Sequence, residues 1–366
     1  MLDQGTFGLR PDHIKRQSYL TEDVGIAYST LVLPEDGTAL RLDSKRINIE
    51  AIPYSDHFSE EERTKDLQEV ERLKIKFKEN EDEDIKNYGV REGQIFGHVL
   101  DALFYVAIRN TFPAEGAVEV TSEFDDYKRR TDFVINVGNN EKPLYLLVDT
   151  TTQTAPGDLR EKLSAVSEKT SPYKALRQDV KYFTHQENGV QKFGLDQKPR
   201  VVVALGKEGI ALLSKKFVNH QDFERVASYI FLIQVLEQLK RQMAFVKENM
   251  IKFMHSGVLL DEYREYIESI EPLVEEGKQF TQDDQEIKNL LSSLPIKDLL
   301  PGLFPIESDN RANSDEITAY RKAHIATTSE KPKIQENSVS MGGHNPILKL
   351  KKKNPPESMG DQVVNG

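Results

Sequence analysis

The sequence predicts an α/β domain over residues 90 to 216, with the element order helix, three strands, helix, strand. Apolar residues recur at helical spacing between residues 95 and 108. Three short β-type runs follow between residues 117 and 148, and another lies at 200 to 206 after a segment of helical pattern. This alternation is typical of an α/β fold, and acidic residues fall on the central strands.

The first helix and the first two strands follow from local patterns. The helix carries a single apolar stripe and ends before Pro113, which cannot continue it. Residues 117 to 123 alternate between apolar and polar side chains, as a strand with one buried face does. Asp132 to Val137 predicts the second strand, and the Gly-Asn-Asn sequence that follows it predicts a turn.

The second half of the domain is predicted in the same way. Leu144 to Val148 is a continuous apolar run, which is typical of a buried central strand. Residues 158 to 183 read as a helix that Pro172 breaks or kinks. Residues 200 to 206 form the fourth strand, and a further helix begins near Ile210.

The segment before the domain is expected to be an extension with one exposed helix. Residues 26 to 42 predict a short hairpin around the turn at 34 to 37. Residues 59 to 78 predict a mostly charged helix, in which Ser59 and Glu62 have the spacing of a capping box. The acidic run at residues 79 to 84 is expected to be a solvated linker.

The segment after the domain is expected to be helical and then disordered. A helix of more than seven turns is predicted at residues 227 to 254, with shorter ones near 260 to 276 and 283 to 293. The composition then shifts to Ser, Asn, Lys, Pro and Glu, which predicts disorder. The predicted organisation is an N-terminal extension (1–88), an α/β core (89–220), a helical region (221–304) and a disordered tail (305–366).

Composition excludes several classes of site and of protein. The 366 residues include no cysteine, which excludes disulfides, thiolate metal sites and cysteine nucleophiles. No apolar run approaches the roughly 18 residues that span a bilayer, and the opening residues lack the apolar stretch of a secretory signal. We therefore expect a cytoplasmic protein without a membrane partner.

Charge is unevenly distributed along the chain. The formal net charge of −11 divides into −12 for residues 1–127, +6 for 128–218 and −5 for 219–366. A basic region between acidic flanks is what binding to a polyanion such as nucleic acid requires. An ordinary fluctuation in composition would give the same pattern.

Three acidic residues of the predicted core suggest a chemical site. Glu92 lies in the first turn of the first helix, Asp132 begins the second strand and Asp149 ends the third. If the two strands are neighbours, both aspartates lie at one end of the sheet. Two carboxylates in close proximity repel each other, and the repulsion is relieved by a raised pKa or by a bound cation. Magnesium prefers such oxygen ligands and promotes phosphodiester hydrolysis by activating a bound water.

These elements and residues resemble the PD-(D/E)xK, or restriction-endonuclease-like, nuclease superfamily over about 125 of the 366 residues. The resemblance implies an α-β-β-β-α-β core and a Mg²⁺-dependent nuclease acting on DNA or, as a second choice, RNA. It implies that Asp132 and Asp149 hold the metal and that Glu92 assists. The family pattern places a lysine two positions after Asp149, where this chain has Thr151. Some members supply the lysine from the following helix, and Lys162 and Lys169 are the candidates here.

Ordinary structural roles remain open for each of these residues. Asp149 could cap a turn where its strand reaches solvent, Asp132 could pair with Arg129 or Arg130, and Glu92 could only complement the helix dipole. Lys162 and Lys169 could be solvated helix residues. Two other functions also remain open. One is a nucleic-acid-binding module without catalysis. The other is an interaction protein that dimerises or binds a protein partner through residues 222–300, chiefly through its long helix.

Overall fold

A computed structural model describes residues 21–32, 42–52, 58–88, 91–114, 116–155, 159, 162, 177–187, 190–249, 256–295 and 300. The described residues all belong to one compact unit, Met1–Ala312. The predicted disordered tail (305–366) lies outside the described residues.

The fold is mixed α/β and contains a five-stranded sheet. In the chain, helices come before and after the strands. The N-terminal half contains, in chain order, α1 (Glu22–Leu31), α2 (Leu42–Lys45), a 3-10 turn (Ile49–Ala51), α3 (Glu60–Tyr88), α4 (Arg91–Ile108), β1 (Val118–Val120), α5 (Glu123–Arg129), β2 (Phe133–Asn136) and β3 (Tyr145–Thr151). The C-terminal half contains β4 (Arg177–Glu187), β5 (Val190–Ala204), α6 (Lys207–Val218), α7 (Phe223–Glu248), α8 (Ser256–Thr281) and α9 (Gln285–Ser292).

The strands are arranged in the order β1-β2-β3-β5-β4. The pairs β1–β2, β2–β3 and β4–β5 are antiparallel, whereas β3 and β5 are parallel. The C-terminal end of β5 continues past the described part of β4, so, among the described residues, 200 to 204 have a strand neighbour on one side only. The sheet is therefore mixed, with β3 at its centre.

Helix α7 covers this open edge with a ladder of three glutamines. Gln234, Gln238 and Gln242 are four residues apart, so they lie on one face of the helix. The backbone N–H groups of Val202 and Ala204 donate to the side-chain oxygens of Gln238 (2.9 Å) and Gln234 (3.1 Å). Gln242 donates to the carbonyl of Arg200 at 2.9 Å. Buried backbone groups that no strand satisfies are thus satisfied by side chains.

The hydrophobic core contains residues of the sheet and of helices that come before and after it in the chain. Phe104 of α4 packs against Phe133 of β2 and Phe231 of α7, with ring centroids 5.0 and 5.3 Å apart. The long helix predicted at residues 227–254 is largely buried between the sheet and α8. Within the described ranges, no helix has the length and apolarity needed to cross a bilayer.

The structure confirms most of the predicted elements and corrects three. The expected hairpin at residues 26–42 is wrong, because Val24, Ala27 and Leu31 form the buried face of α1. The expected linker at 79–84 is also wrong, because α3 continues through it. The expected helix at 158–183 is wrong from Arg177 onward, where β4 begins.

Candidate active site

A cavity of about 620 Å³ opens where α3, α4 and α5 meet the C-terminal end of β3. It contains four aspartates, one from each of four different segments. Its lining residues are Arg46, Phe77, Gly97, His98, Leu100, Asp101, Asp126, Tyr127, Arg130, Asp132, Asp149, Thr150, Thr151, Thr152, Gln153 and Lys162.

The register of β2 and β3 brings Asp132 and Asp149 together. Phe133 pairs with Val148, and the N–H of Asp132 donates to the carbonyl of Val148 at 2.9 Å. Continuing this antiparallel register places Asp132 beside Asp149. The two aspartates therefore lie at one end of the sheet and line the same cavity.

Asp132 is held by Thr150 and surrounded by other acids. One of its carboxylate oxygens accepts from the backbone N–H of Thr150 (2.7 Å) and from its hydroxyl (3.0 Å). Burial raises the pKa of Asp132 well above its usual range, and the charges of Asp126 and Asp149 raise it further. No arginine pairs with Asp132 among the described residues, and Arg129 lies instead 3.5 Å from Asp125.

Asp101 and Asp126 complete the acidic cluster, and sequence reasoning did not single them out. The Thr150 hydroxyl also hydrogen-bonds Asp101, whose pKa is raised to about 7 by burial and then by the charge of Asp132. Burial raises the pKa of Asp126, whereas Arg46, 2.8 Å away, opposes the rise. The Asp126 and Asp132 carboxyl groups line the same cavity, and the charge of Asp126 contributes to the raised pKa of Asp132.

Asp149 has a different environment, because two cations face it. It is 3 % exposed and pairs with the guanidinium of Arg200 and, at 3.3 Å, with the ammonium of Lys162. Arg200 is buried as well and also donates to the carbonyl of Arg130 at 3.1 Å. Asp149 thus does not cap a turn at the surface, but is a buried, neutralised carboxylate.

The other predicted site residues are only partly described. Lys162 lines the cavity, and Lys169 lies outside the described residues. Glu92 is in the first turn of α4, and its side chain is not described. Asp101 follows nine residues later, about 13 Å further along the helix axis. Among the acidic residues of α4 whose side chains are described, Asp101 lines the cavity; the sequence pattern pointed to Glu92.

One feature of the sequence distinguishes Asp101 from other acidic residues. Between Ile95 and Ile108 it is the only Asp, Glu, Lys or Arg. A carboxylate in the middle of an otherwise apolar helix is rarely buried unless it has a partner or a function. Arg46 and Asp126 have no comparable signal in the sequence.

The donor set is consistent with a cation that keeps most of its water ligands. Within the part of the chain that the structure describes, no group of three or more His, Asp or Glu side chains is arranged to hold a metal ion. Two aspartates from adjacent strands are fewer ligands than zinc or calcium takes from a protein, but they suit magnesium, which is often held by one or two carboxylates. Burial is the main cause of the raised pKa values of Asp101, Asp126 and Asp132, and the charges of neighbouring aspartates, which a cation would compensate, add to it. Comparisons of the chain with protein-family models, with curated proteins and with solved structures find no match.

Proposed function

We propose that this chain is a magnesium-dependent phosphodiesterase that acts on nucleic acid, with DNA preferred over RNA. One observation carries the proposal. Asp132 and Asp149, from adjacent strands, meet in one cavity with Lys162, whose ammonium lies 3.3 Å from Asp149. Two carboxylates and a lysine are the groups that metal-assisted hydrolysis of a phosphodiester requires.

The order of the elements supports the same proposal. Helix α4, strands β1 to β3, the helical residues Leu159 and Lys162, and the C-terminal half of β5 follow one another as in the PD-(D/E)xK core. We therefore propose a restriction-endonuclease-like core, to which the β4–β5 hairpin and α5 are additions. Lys162, beside Asp149, would supply the lysine that the family pattern expects at the position of Thr151.

Each residue has a role that its contacts support. Asp132 and Asp149 would hold the ion, which when bound supplies an activated water and offsets phosphate charge. Lys162 would orient the water and face the phosphate, since its side chain is 27 % exposed and its ammonium lies beside Asp149. Asp101 would position Asp132 through their shared partner, the Thr150 hydroxyl. We give Asp101 the part that the family pattern assigns to Glu92.

A nucleic-acid-binding module without catalysis is the second candidate. It is favoured by the Arg200 guanidinium, which already neutralises Asp149 together with Lys162. A carboxylate with two cationic partners attracts a metal ion less strongly than a free carboxylate does. This candidate predicts nucleic-acid affinity without hydrolysis in any divalent metal.

Cleavage of labelled DNA, single-stranded and duplex, with Mg²⁺ and with EDTA tests the proposal. The wild-type chain should cleave only with Mg²⁺. Asp132→Asn and Asp149→Asn should each lower the rate by roughly 100-fold or more, because each removes a metal ligand. Asp261→Asn, at an exposed aspartate of α8 that pairs with Arg264, is the matched control and should cleave normally. Cleavage that is unchanged in both site variants would refute the proposed site.

A further inference from the structure

An aromatic pair stands at the rim of the cavity. Phe77 of α3 and Tyr127 of α5 line it, with ring centroids 5.7 Å apart and planes tilted by 33°. Phe77 is 48 % exposed, which is unusual for so large an apolar side chain on a helix that is otherwise mostly charged. Its exposed ring face is thus accessible to a ligand that enters the cavity.

An arginine without a carboxylate partner lies at the same opening. Arg130 follows α5 with a left-handed backbone (φ 55°), and its N–H closes the helix by donating to the carbonyls of Asp125 and Asp126. Its own carbonyl accepts from Arg200. These bonds hold a conformation that is uncommon for a residue other than glycine. The exposed Arg130 side chain lines the cavity, and no carboxylate among the described residues pairs with its guanidinium.

We propose that the cavity binds an unpaired nucleotide, so that the substrate is a single strand or a single-stranded segment. The base would stack on Phe77 and Tyr127, and the neighbouring phosphate would face Arg130. Aromatic side chains next to a cationic group are how proteins bind single strands without reading sequence. In a duplex the neighbouring base pairs cover both faces of a base, so stacking on Phe77 requires a base that has left the helix.

The dimensions and the position of the aromatic pair agree with this ligand. A volume of about 620 Å³ is in the range of sites for small organic ligands. The same opening leads to Asp132 and Asp149, so a base on the rim would bring its own phosphate toward the proposed hydrolytic site. The inference rests on the proposed function, since it assumes that the ligand is nucleic acid.

Fluorescence anisotropy of the full chain with a labelled DNA strand of about 12 nucleotides, alone or annealed to its complement, tests the inference. Ca²⁺ replaces Mg²⁺, and a gel verifies that the DNA stays intact, so that binding is measured apart from hydrolysis. We expect the single strand to bind at least roughly tenfold more tightly than the duplex. Phe77→Ala should weaken single-strand binding roughly 5- to 100-fold, the loss expected for one base–aromatic stack.

Two matched variants separate this effect from a general change in α3 or in charge. Ile75→Ala removes the other large exposed apolar side chain of this part of α3, 59 % exposed and not part of the cavity lining, and should bind as the wild type does. Arg130→Gln should weaken binding to the single strand, whereas Lys128→Gln, at an exposed lysine paired with Glu69, should not.

Three results would overturn the inference: equal or tighter binding of the duplex, the same affinity in Phe77→Ala as in Ile75→Ala, or no binding of either DNA. Cleavage with Mg²⁺ that is insensitive to Phe77→Ala would reject the inference and leave the proposed function intact. Single-strand binding that depends on Phe77 in a chain that never cleaves would support the inference and reject the hydrolysis.

Discussion

The two sides of the cavity treat carboxylates in opposite ways. On one side, Asp149 is buried against Arg200 and Lys162, so its charge is compensated within the fold. On the other side, Asp101, Asp126 and Asp132 face one another, and Arg46 is the cation that pairs with one of them. The two sides meet at consecutive residues of β3. Asp149 belongs to the first side, and Thr150 hydrogen-bonds Asp132 and Asp101 of the second.

This difference indicates where a bound ion would act. A compensated carboxylate stabilises the fold, because its charge is matched in a medium of low dielectric constant. Crowded carboxylates do the reverse and become stable only when a proton or a cation reduces their repulsion. Under the proposed function, the compensated side would form the frame of the site, and the crowded side would be the part that responds to a bound ion.

The largest effect is expected on the compensated side. Arg200→Met should lower the free energy of unfolding by about 3 to 5 kcal/mol, because it leaves Asp149 buried without its main partner. Urea unfolding measures the loss. Adding Asp149→Asn to Arg200→Met should restore part of it, since the uncompensated charge is then gone. A loss under about 1 kcal/mol would mean that Arg200 does not compensate Asp149.

Lys162 should affect the reaction more than the stability. Lys162→Met is expected to slow Mg²⁺-dependent cleavage by roughly 100-fold, within the range for a group that transfers or orients a proton. The free energy of unfolding should fall by less than about 1 kcal/mol, because the ammonium is partly exposed. Lys169→Met is the comparison. Normal cleavage by Lys162→Met together with loss in Lys169→Met would assign the lysine role to residue 169.

The crowded side should show itself in the pH dependence of stability. The pKa of Asp101 is about 7 in the folded chain, against a usual value of 3.8. Above pH 4 the unfolded chain loses this proton while the folded chain keeps it, so stability falls as the pH rises toward 7. In EDTA, the free energy of unfolding of Asp101→Asn should fall by about 1 to 3 kcal/mol less than that of the wild type between pH 4 and 7. Parallel urea-unfolding curves for variant and wild type from pH 4 to 7 would contradict the assigned environment.

The smallest effect is expected at Arg46. Its pair with Asp126 is partly exposed on both sides, so Arg46→Gln should cost less than about 1 kcal/mol at pH 7. Since Arg46 opposes the rise in the pKa of Asp126, the variant should raise that pKa further. The cost should shrink as the pH falls from 7 toward 4, because protonation of Asp126 removes the charge that attracts the guanidinium. The same cost at both pH values would show that Arg46 acts through other contacts.

Strands with a continuous apolar run could be predicted from the sequence, but β4 could not. Tyr145 to Thr151 is buried on both faces and shows this in its composition. In β4 the register shifts between Gln178 and Val180 and again before Thr184. The shifts bring Val180 and Phe183, three residues apart, into the same apolar cluster, whereas regular alternation would place them on opposite faces of the strand. No alternating pattern survives in such a strand.

The sequence of α1 contains a helix signal, but hairpin signals in the same segment outweighed it. Thr21 caps the helix, its hydroxyl accepting from the N–H of Val24 at 3.3 Å, and the buried residues have helical spacing. The β-branched residues and the turn that follows favoured a hairpin instead. Packing of α1 against α4 and α6 decided the outcome, which a local pattern does not contain.

The site was predictable as far as strand register determines it. The sequence placed Asp132 at the start of one strand and Asp149 at the end of the next but left the pairing open, and the antiparallel register of β2 and β3 makes the two residues adjacent. Arg200 reaches Asp149 only because β5 runs parallel to β3 with Arg200 opposite Leu147. Asp126 enters the cavity through α5, a short helix that no pattern announced. Residues brought in by such long-range contacts cannot be read from their neighbours in sequence.

The most direct test of the central claim is a count of bound ions by titration with Mn²⁺, which carboxylate sites accept in place of Mg²⁺ and which electron paramagnetic resonance detects. We predict that the wild-type chain binds Mn²⁺ at the cavity. Asp132→Asn should abolish this binding and Asp149→Asn should weaken it, whereas Asp261→Asn should leave it unchanged. Binding that is the same in Asp132→Asn as in the wild type, or no binding in the wild type, would contradict the claim that the two aspartates share a cation.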